Sequence, residues 1–432
     1  MPDLLLLTAA AAPASAAGDT AWLLAAAALV LLMAPGLAFF YGGMVRSKSV
    51  LNMMMMVFGA LAVVMVVWVV VGYSLAFGDD LGGGLIGDPT QFLGFRGMLE
   101  ADPDASYPIT LFAAFQGLFA VITVGLIAGA IADRTRFGTW LLFAALWTLL
   151  VYAPVAHWIF GGGWMMGKLG ALDFAGGTAV EINSGAAGLA AALVLGRRVG
   201  FGRDPMKPHN LTLVMVGAGL LWFGWFGFNA GSALAANNTA AIVFVNTLLA
   251  GCTGLLAWLA VERYRDGHAT SFGAASGVVA GLVAITPSCG AVTPIGAMLV
   301  GVAAGAICAL AVGLKYTFRY DDSLDVVGVH LVGGLVGTIV IGLLASSSVT
   351  GVDGLFYGGG TQQLGKQLVA AGVTLVFSFS MTALLVWMLE RTVGFRVEPE
   401  HEVAGVDLVI HAETAYDLHL ATGGPRPHFG QG

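Results

Sequence analysis

Two side chains in this sequence could move a proton through a hydrophobic interior, Glu181 and His330. Both stand in the same glycine frame. One segment reads Glu181-Ile-Asn-Ser-Gly185-Ala-Ala-Gly188, the other His330-Leu-Val-Gly-Gly334-Leu-Val-Gly337. In a helix, glycines four and seven residues on share the face that bears the acid or the imidazole. An ionisable group inside hydrocarbon is costly and marks a pathway for ions or protons. Matched positions in two halves of a membrane protein point to an internal repeat with its site at the repeat interface.

The elements that must position this pair are membrane helices. The chain has 432 residues, 58% hydrophobic and only 10% charged, with a mean hydropathy of +0.87. Soluble proteins carry about 25% charged residues. Eleven apolar segments approach the roughly 20 residues that cross a bilayer. They run over about 21–42, 50–77, 109–132, 137–158, 178–196, 209–231, 238–261, 269–286, 293–315, 326–346 and 365–390. The sequence thus predicts an all-α polytopic membrane protein. Its first ten spans form an inverted five-plus-five pseudo-two-fold repeat (halves 21–197 and 209–346), followed by one C-terminal helix.

Lysine and arginine set the orientation. With the N-terminus outside and the C-terminus cytoplasmic, fifteen of the eighteen basic residues fall inside. Only Arg96, Lys168 and Lys366 fall outside. This asymmetry follows the positive-inside rule and requires an odd number of spans. The net charge of −7 carries little information about partners, because the side of the membrane matters more than the sum.

Residues 1–20 read either as a cleaved signal peptide or as a short N-terminal extension. Ala14-Ser-Ala-Ala17 has the small residues of a cleavage site, but no Lys or Arg precedes the apolar run. Residues 21–391 form the membrane domain, and 392–432 a polar cytoplasmic tail. Cys252, Cys289 and Cys308 lie in or beside apolar segments without metal-ligand spacing and read as buried small residues. No metal site, cofactor cradle or catalytic nucleophile is evident, so the sequence does not read as an enzyme or a nucleic-acid binder.

The longer motifs resemble the ammonium transporter family (Amt/Mep/Rh), on its Amt/Mep side. They are Phe40-Tyr-Gly-Gly-Met-Val-Arg-Ser-Lys48, Phe115-Gln-Gly-Leu-Phe119-Ala-Val-Ile-Thr-Val-Gly125, Gly170-Ala-Leu-Asp-Phe-Ala-Gly-Gly177, Lys207-Pro-His-Asn210, Gly224-Trp-Phe-Gly-Phe-Asn-Ala-Gly-Ser232 and Asp321-Asp-Ser-Leu-Asp-Val-Val-Gly-Val-His330. The similarity runs from about residue 35 to 416.

The resemblance implies a homotrimer of eleven-span subunits in the cell membrane, each with a narrow apolar pore for ammonium or ammonia. It implies recruitment of the cation by Phe160, Ser232, Asp173 and Trp225, and a gate of Phe119 stacked on Phe228. It implies a mid-pore relay at Glu181 and His330, and a pore lined by Leu126 and Val326. Glu181 stands where the family usually has a histidine. Phe160 stands where it usually has tryptophan, and Trp158 or Trp164 could supply that ring instead. The segment Gly405-Val-Asp-Leu-Val-Ile-His-Ala-Glu-Thr-Ala-Tyr416 resembles the family's regulatory tail, which implies a PII-type signal protein as partner. An ammonium sensor or a passive ammonia channel would use the same scaffold.

Glu181 also has a purely structural reading. Thr178-Ala-Val-Glu181 matches a capping box, in which the threonine caps the helix and the glutamate returns the bond. Asp173, near a span mouth beside two glycines, reads as a helix-end partner that serves binding indirectly.

Overall fold

In hydrocarbon every backbone N–H and C=O must be satisfied within the protein, and a helix does this along its own length. The computed structural model describes residues 14–100, 102 and 104–416. Among them are eleven helices long and apolar enough to cross a membrane. They are Ala16–Met44, Val50–Phe77, Ile109–Ala130, Phe137–Ile159, Gly177–Leu195, Leu211–Gly231, Asn238–Asp266, Ser271–Ser288, Pro294–Phe318, Val327–Leu344 and Gln362–Thr392. The seventh runs five residues past its apolar stretch, because Arg263 and Arg265 complete its last turn. Basic side chains suit the negative end of the helix dipole. The question of a leader peptide falls mainly on residues 1–13, outside the described residues; residues 14–17 are already helical.

The packing follows the two-fold pattern. The first span lies along the sixth, and the fifth meets the tenth. The third, fifth and eighth are the deepest, each with 83% of its apolar window buried, against 28% for the second. The eleventh packs across both the fifth and the tenth. The glycines of the two matched segments explain these contacts. A Cβ on Gly185 would sit 2.4 Å from the Leu331 nitrogen, and one on Gly334 would sit 2.8 Å from the Glu181 Cβ. These plus-four glycines let the fifth and tenth backbones touch. The plus-seven glycines face two of the deep spans, Gly188 against Ala130 of the third and Gly337 against Ala284 of the eighth.

Both matched segments begin in a widened helical turn, Gly177–Ile182 and Val327–Leu331. Bonds there reach five residues back, from Glu181 N–H to the Gly176 carbonyl and from Val332 N–H to the Val327 carbonyl. Such π-type turns recur at functional sites. Each is capped by an aspartate eight residues before the ionisable group. Asp173 accepts from the N–H groups of Gly176 (2.8 Å), Gly177 (2.6 Å) and Thr178 (2.7 Å), and from the Thr178 hydroxyl. Asp322 accepts from Val326 (3.1 Å) and Val327 (2.8 Å).

Asp173 and Asp322 lie at opposite ends of the bundle, termed here the vestibule face and the tail face. At the tail face an ionic network ties the halves together. Arg198 bonds Asp321 through two nitrogens (2.8 and 2.9 Å) and Asp133 through a third (2.9 Å). Arg46 reaches the same Asp133 at 3.1 Å. The described part of the tail docks here. Glu402 pairs with Arg396 at 3.1 Å and accepts from Val199 N–H. Asp407 caps the second span through Leu51 (3.0 Å) and Asn52 (2.8 Å). Tyr416 meets His209 at 2.8 Å.

Candidate functional site

A cavity of about 320 Å³ opens at the vestibule face. Its wall includes Phe160, Asp173 and Ser232, which the sequence singled out, and Phe112, Gln116 and Phe174, to which it gave no role. Phe160 supplies a ring here, whereas Trp158 and Trp164 do not line the cavity. Trp158 instead donates its indole N–H to the Leu85 carbonyl at 2.8 Å and packs against Trp164 and Phe377.

The polar groups of this wall differ in what they can offer. Ser232 donates its hydroxyl hydrogen to the Phe228 carbonyl at 2.8 Å. Its oxygen lone pairs therefore remain as acceptors, which suits a ligand rich in N–H donors. Gln116 is 8% exposed, and its carbonyl oxygen has no hydrogen-bond partner among the described residues. The Asp173 oxygens are committed to the helix start, so its contribution to the cavity is mainly its charge and the geometry it fixes. Burial pushes its carboxyl up from the ordinary aspartate range, against the bonds from Thr178, Gly176 and Gly177. Thr178 spends its hydroxyl on Asp173, so the pair Thr178 and Glu181 does not form a capping box.

The floor of the cavity is closed by two rings. Phe119 and Phe228 stack with centroids 3.9 Å apart and planes at 15°, and each is 1% exposed. The third span supplies one ring and the sixth the other. Beyond them lies a pocket of about 10 Å³, the room that a single water-sized molecule needs. Its wall is apolar (Met33, Leu37, Phe40, Ile122, Leu126, Leu221 and Val279) except for Trp225 and His330. Trp225 therefore lines this inner pocket rather than the vestibule, because its indole N–H is held by the Thr286 hydroxyl at 2.8 Å. This corrects its expected place beside Phe160 and Ser232. Leu126 lines the pocket. Val326 does not, because it packs beside Gly188.

His330 Nδ1 lies 2.7 Å from Glu181 Oε2, and both residues are buried. Only His330 lines the pocket; Glu181 stands behind it. Nδ1–H can donate to a carboxylate, or a protonated Glu181 can donate to Nδ1. In either state Nε2 is left for a ligand, and the pair can pass a proton between its members. Among the described residues, no three or more His, Cys, Asp or Glu side chains are grouped to hold a metal ion.

A vestibule closed by stacked rings, with an acid–imidazole pair beyond them, defines a polytopic membrane protein built to pass something small. Residues 21–416 match the model of the Ammonium Transporter Family, and the chain belongs to that family. It is 55% identical over 424 residues to an ammonium transporter of Mycobacterium tuberculosis (91% of this chain, 89% of that one). It is 47% identical over 389 residues to an ammonium transporter of Bacillus subtilis (88% and 94%). Among solved structures it is similar to Saccharomyces cerevisiae Mep2, with a TM-score of 0.83 and 37% identity (89% of this chain, 88% of that one). It is also similar to a structure described as a sensor Amt protein, with a TM-score of 0.84 and 29% identity (91% and 98%).

Proposed function

We propose that the chain recruits ammonium at the vestibule, strips it of a proton and passes ammonia through the apolar pore. The proton is carried separately by Glu181 and His330, which makes transport electrogenic. The observation that carries this reading is the stacked Phe119–Phe228 pair between an acceptor-lined cavity and an apolar pocket beside His330. A bare cation entering that pocket would lose its hydration with little in return. Ammonium differs from potassium in that it can cross as a neutral amine. Phe160 would hold the cation by its ring face and Ser232 by its oxygen. Leu126 would line the path and Val326 would support it from behind.

The orientation consistent with the basic residues puts the vestibule face outside and the tail face in the cytoplasm. The apolar residues exposed on the bundle, such as Phe223 (57%) and Leu256 (64%), would meet lipid or other copies of the chain in a homotrimer. The docked tail supports regulation from the cytoplasm, with a PII-type protein as the candidate partner. Co-purification at low and high 2-oxoglutarate tests that contact. A sensing role is the second reading, favoured by the likeness to the sensor Amt protein.

The test is ammonium-evoked current in proteoliposomes of the wild type, Glu181→Ala and His330→Ala. Current in the wild type, lost or made potassium-permeable in both variants, fits this function. Ammonia flux without current would make the protein a passive channel. Binding without flux would favour the sensor.

A further inference from the structure

We propose a second cation site on the vestibule face, upstream of the cavity already described, in a cleft walled by Tyr73, Phe77, Tyr107 and Phe112 and edged by Glu100 and Asp102. It takes ammonium and small alkylammonium cations and hands them to the vestibule across Phe112. The choice of cation rests on the ammonium-transport reading above; the existence of the site does not.

The cleft measures about 610 Å³ and lies between the ends of the second and third spans and the loop that joins them. Phe112 lines both this cleft and the vestibule cavity, so the two sites share one ring. The rings form a connected group. Phe77 and Phe112 meet edge to face at 5.1 Å, Tyr73 and Phe77 stack at 5.3 Å, and Tyr107 lies nearly parallel to Phe112 at 6.1 Å. Ring clusters beneath a loop commonly serve packing alone. Here they leave a cavity larger than the vestibule, with exposed Glu100 and Asp102 at its edge.

The chemistry selects the ligand. Aromatic faces attract cations within about 6 Å of the ring centre, and carboxylates draw them in from solution. Among the described residues neither Glu100 nor Asp102 has a cationic partner within ion-pair distance. The stretch 78–108 holds six acids and a single basic residue, Arg96, so the approach to the cleft is negative. A monovalent organic-type cation satisfies both the rings and the acids.

The double variant Glu100→Gln/Asp102→Asn and the single variant Tyr107→Leu test the site in proteoliposome uptake assays. In each, KM for ammonium should rise about fourfold with kcat unchanged, as one exposed cation–π or charge contact allows. Added salt should narrow the gap between the acid variant and the wild type, because exposed charges are screened, and should leave the Tyr107→Leu effect in place. Caesium soaked into crystals of the full chain should give an anomalous peak in the cleft that the double variant loses. Unchanged KM in both variants, or caesium in the vestibule alone, would overturn the proposal. If the wild type transported no ammonium, the function above would fail while the caesium peak would still decide the cleft.

Discussion

The two halves of the repeat use the same backbone device and surround it differently. At the vestibule face Asp173 caps the widened turn that bears Glu181, beside an open cavity of rings and acceptor oxygens. At the tail face Asp322 caps the turn that bears His330, and it is hemmed in by charge. Lys315 donates to the Asp322 carbonyl and pairs with Asp325 at 2.7 Å, and Asp321 is held by Arg198. The backbone pattern brings the two helices together, and the side chains around each cap then decide what each end does. One end is soft and receptive. The other is cross-linked to the tail by Arg46, Glu402 and Asp407.

Substitutions can break this comparison at each level. The largest effect should come from the centre. Glu181→Ala or His330→Ala leaves one buried ionisable group without its partner, a loss of about 3–5 kcal/mol for a broken buried pair. Both variants should melt markedly below the wild type in detergent, whereas Glu181→Gln, which keeps shape and hydrogen bonding, should melt close to it. Next comes the seam between the halves. Gly185→Ala puts a methyl 2.4 Å from the Leu331 nitrogen. Overpacking of this kind costs about 1–3 kcal/mol. Thermal unfolding should show that loss, and Gly219→Ala, with open space at its Cβ, should show none.

At the receptive end, Ser232→Ala removes an acceptor for the cation. KM for ammonium should rise about tenfold, as loss of one hydrogen bond to a charged group implies. At the cross-linked end the smallest effect concerns pH. Burial pushes the Asp322 carboxyl up to about 6, against the pull of Lys315. The unfolded carboxyl titrates near 3.9. Between those values the folded state holds the extra proton, so this group makes the protein more stable as pH falls through that window. Asp322→Asn should flatten the rise in melting temperature as pH falls from about 6.5 to about 4.5. An unchanged slope would show that Asp322 does not titrate there.

Much of this organisation is legible in the sequence. Apolar length gives the eleven spans, and the repeated glycine frame marks where the halves meet, because helical spacing turns plus four and plus seven into one face. Phe119, Phe160 and Ser232 follow from the family resemblance, and the structure brings them to one cavity, with Phe228 stacked against Phe119. Other features escape a linear reading. Asp173 and Asp322 precede their partners by the same eight residues, but only the widened turns reveal them as matching caps. Trp225 stands in the same motif as Phe228 and Ser232, yet its bond to Thr286 turns it to the inner pocket. Gln116 lies within the Phe115–Gly125 motif. Its unpartnered oxygen becomes visible only when the third span is packed among its neighbours. The Asp407 contacts of the tail join residues more than 300 apart, beyond any local pattern.

We infer that Glu181 and His330 carry a proton apart from ammonia. The most direct test records ammonium-evoked current and ammonia flux together in proteoliposomes of the wild type and Glu181→Gln. Current and flux in fixed proportion are expected in the wild type, and loss of current in Glu181→Gln. Equal current per ammonia in both proteins would contradict it.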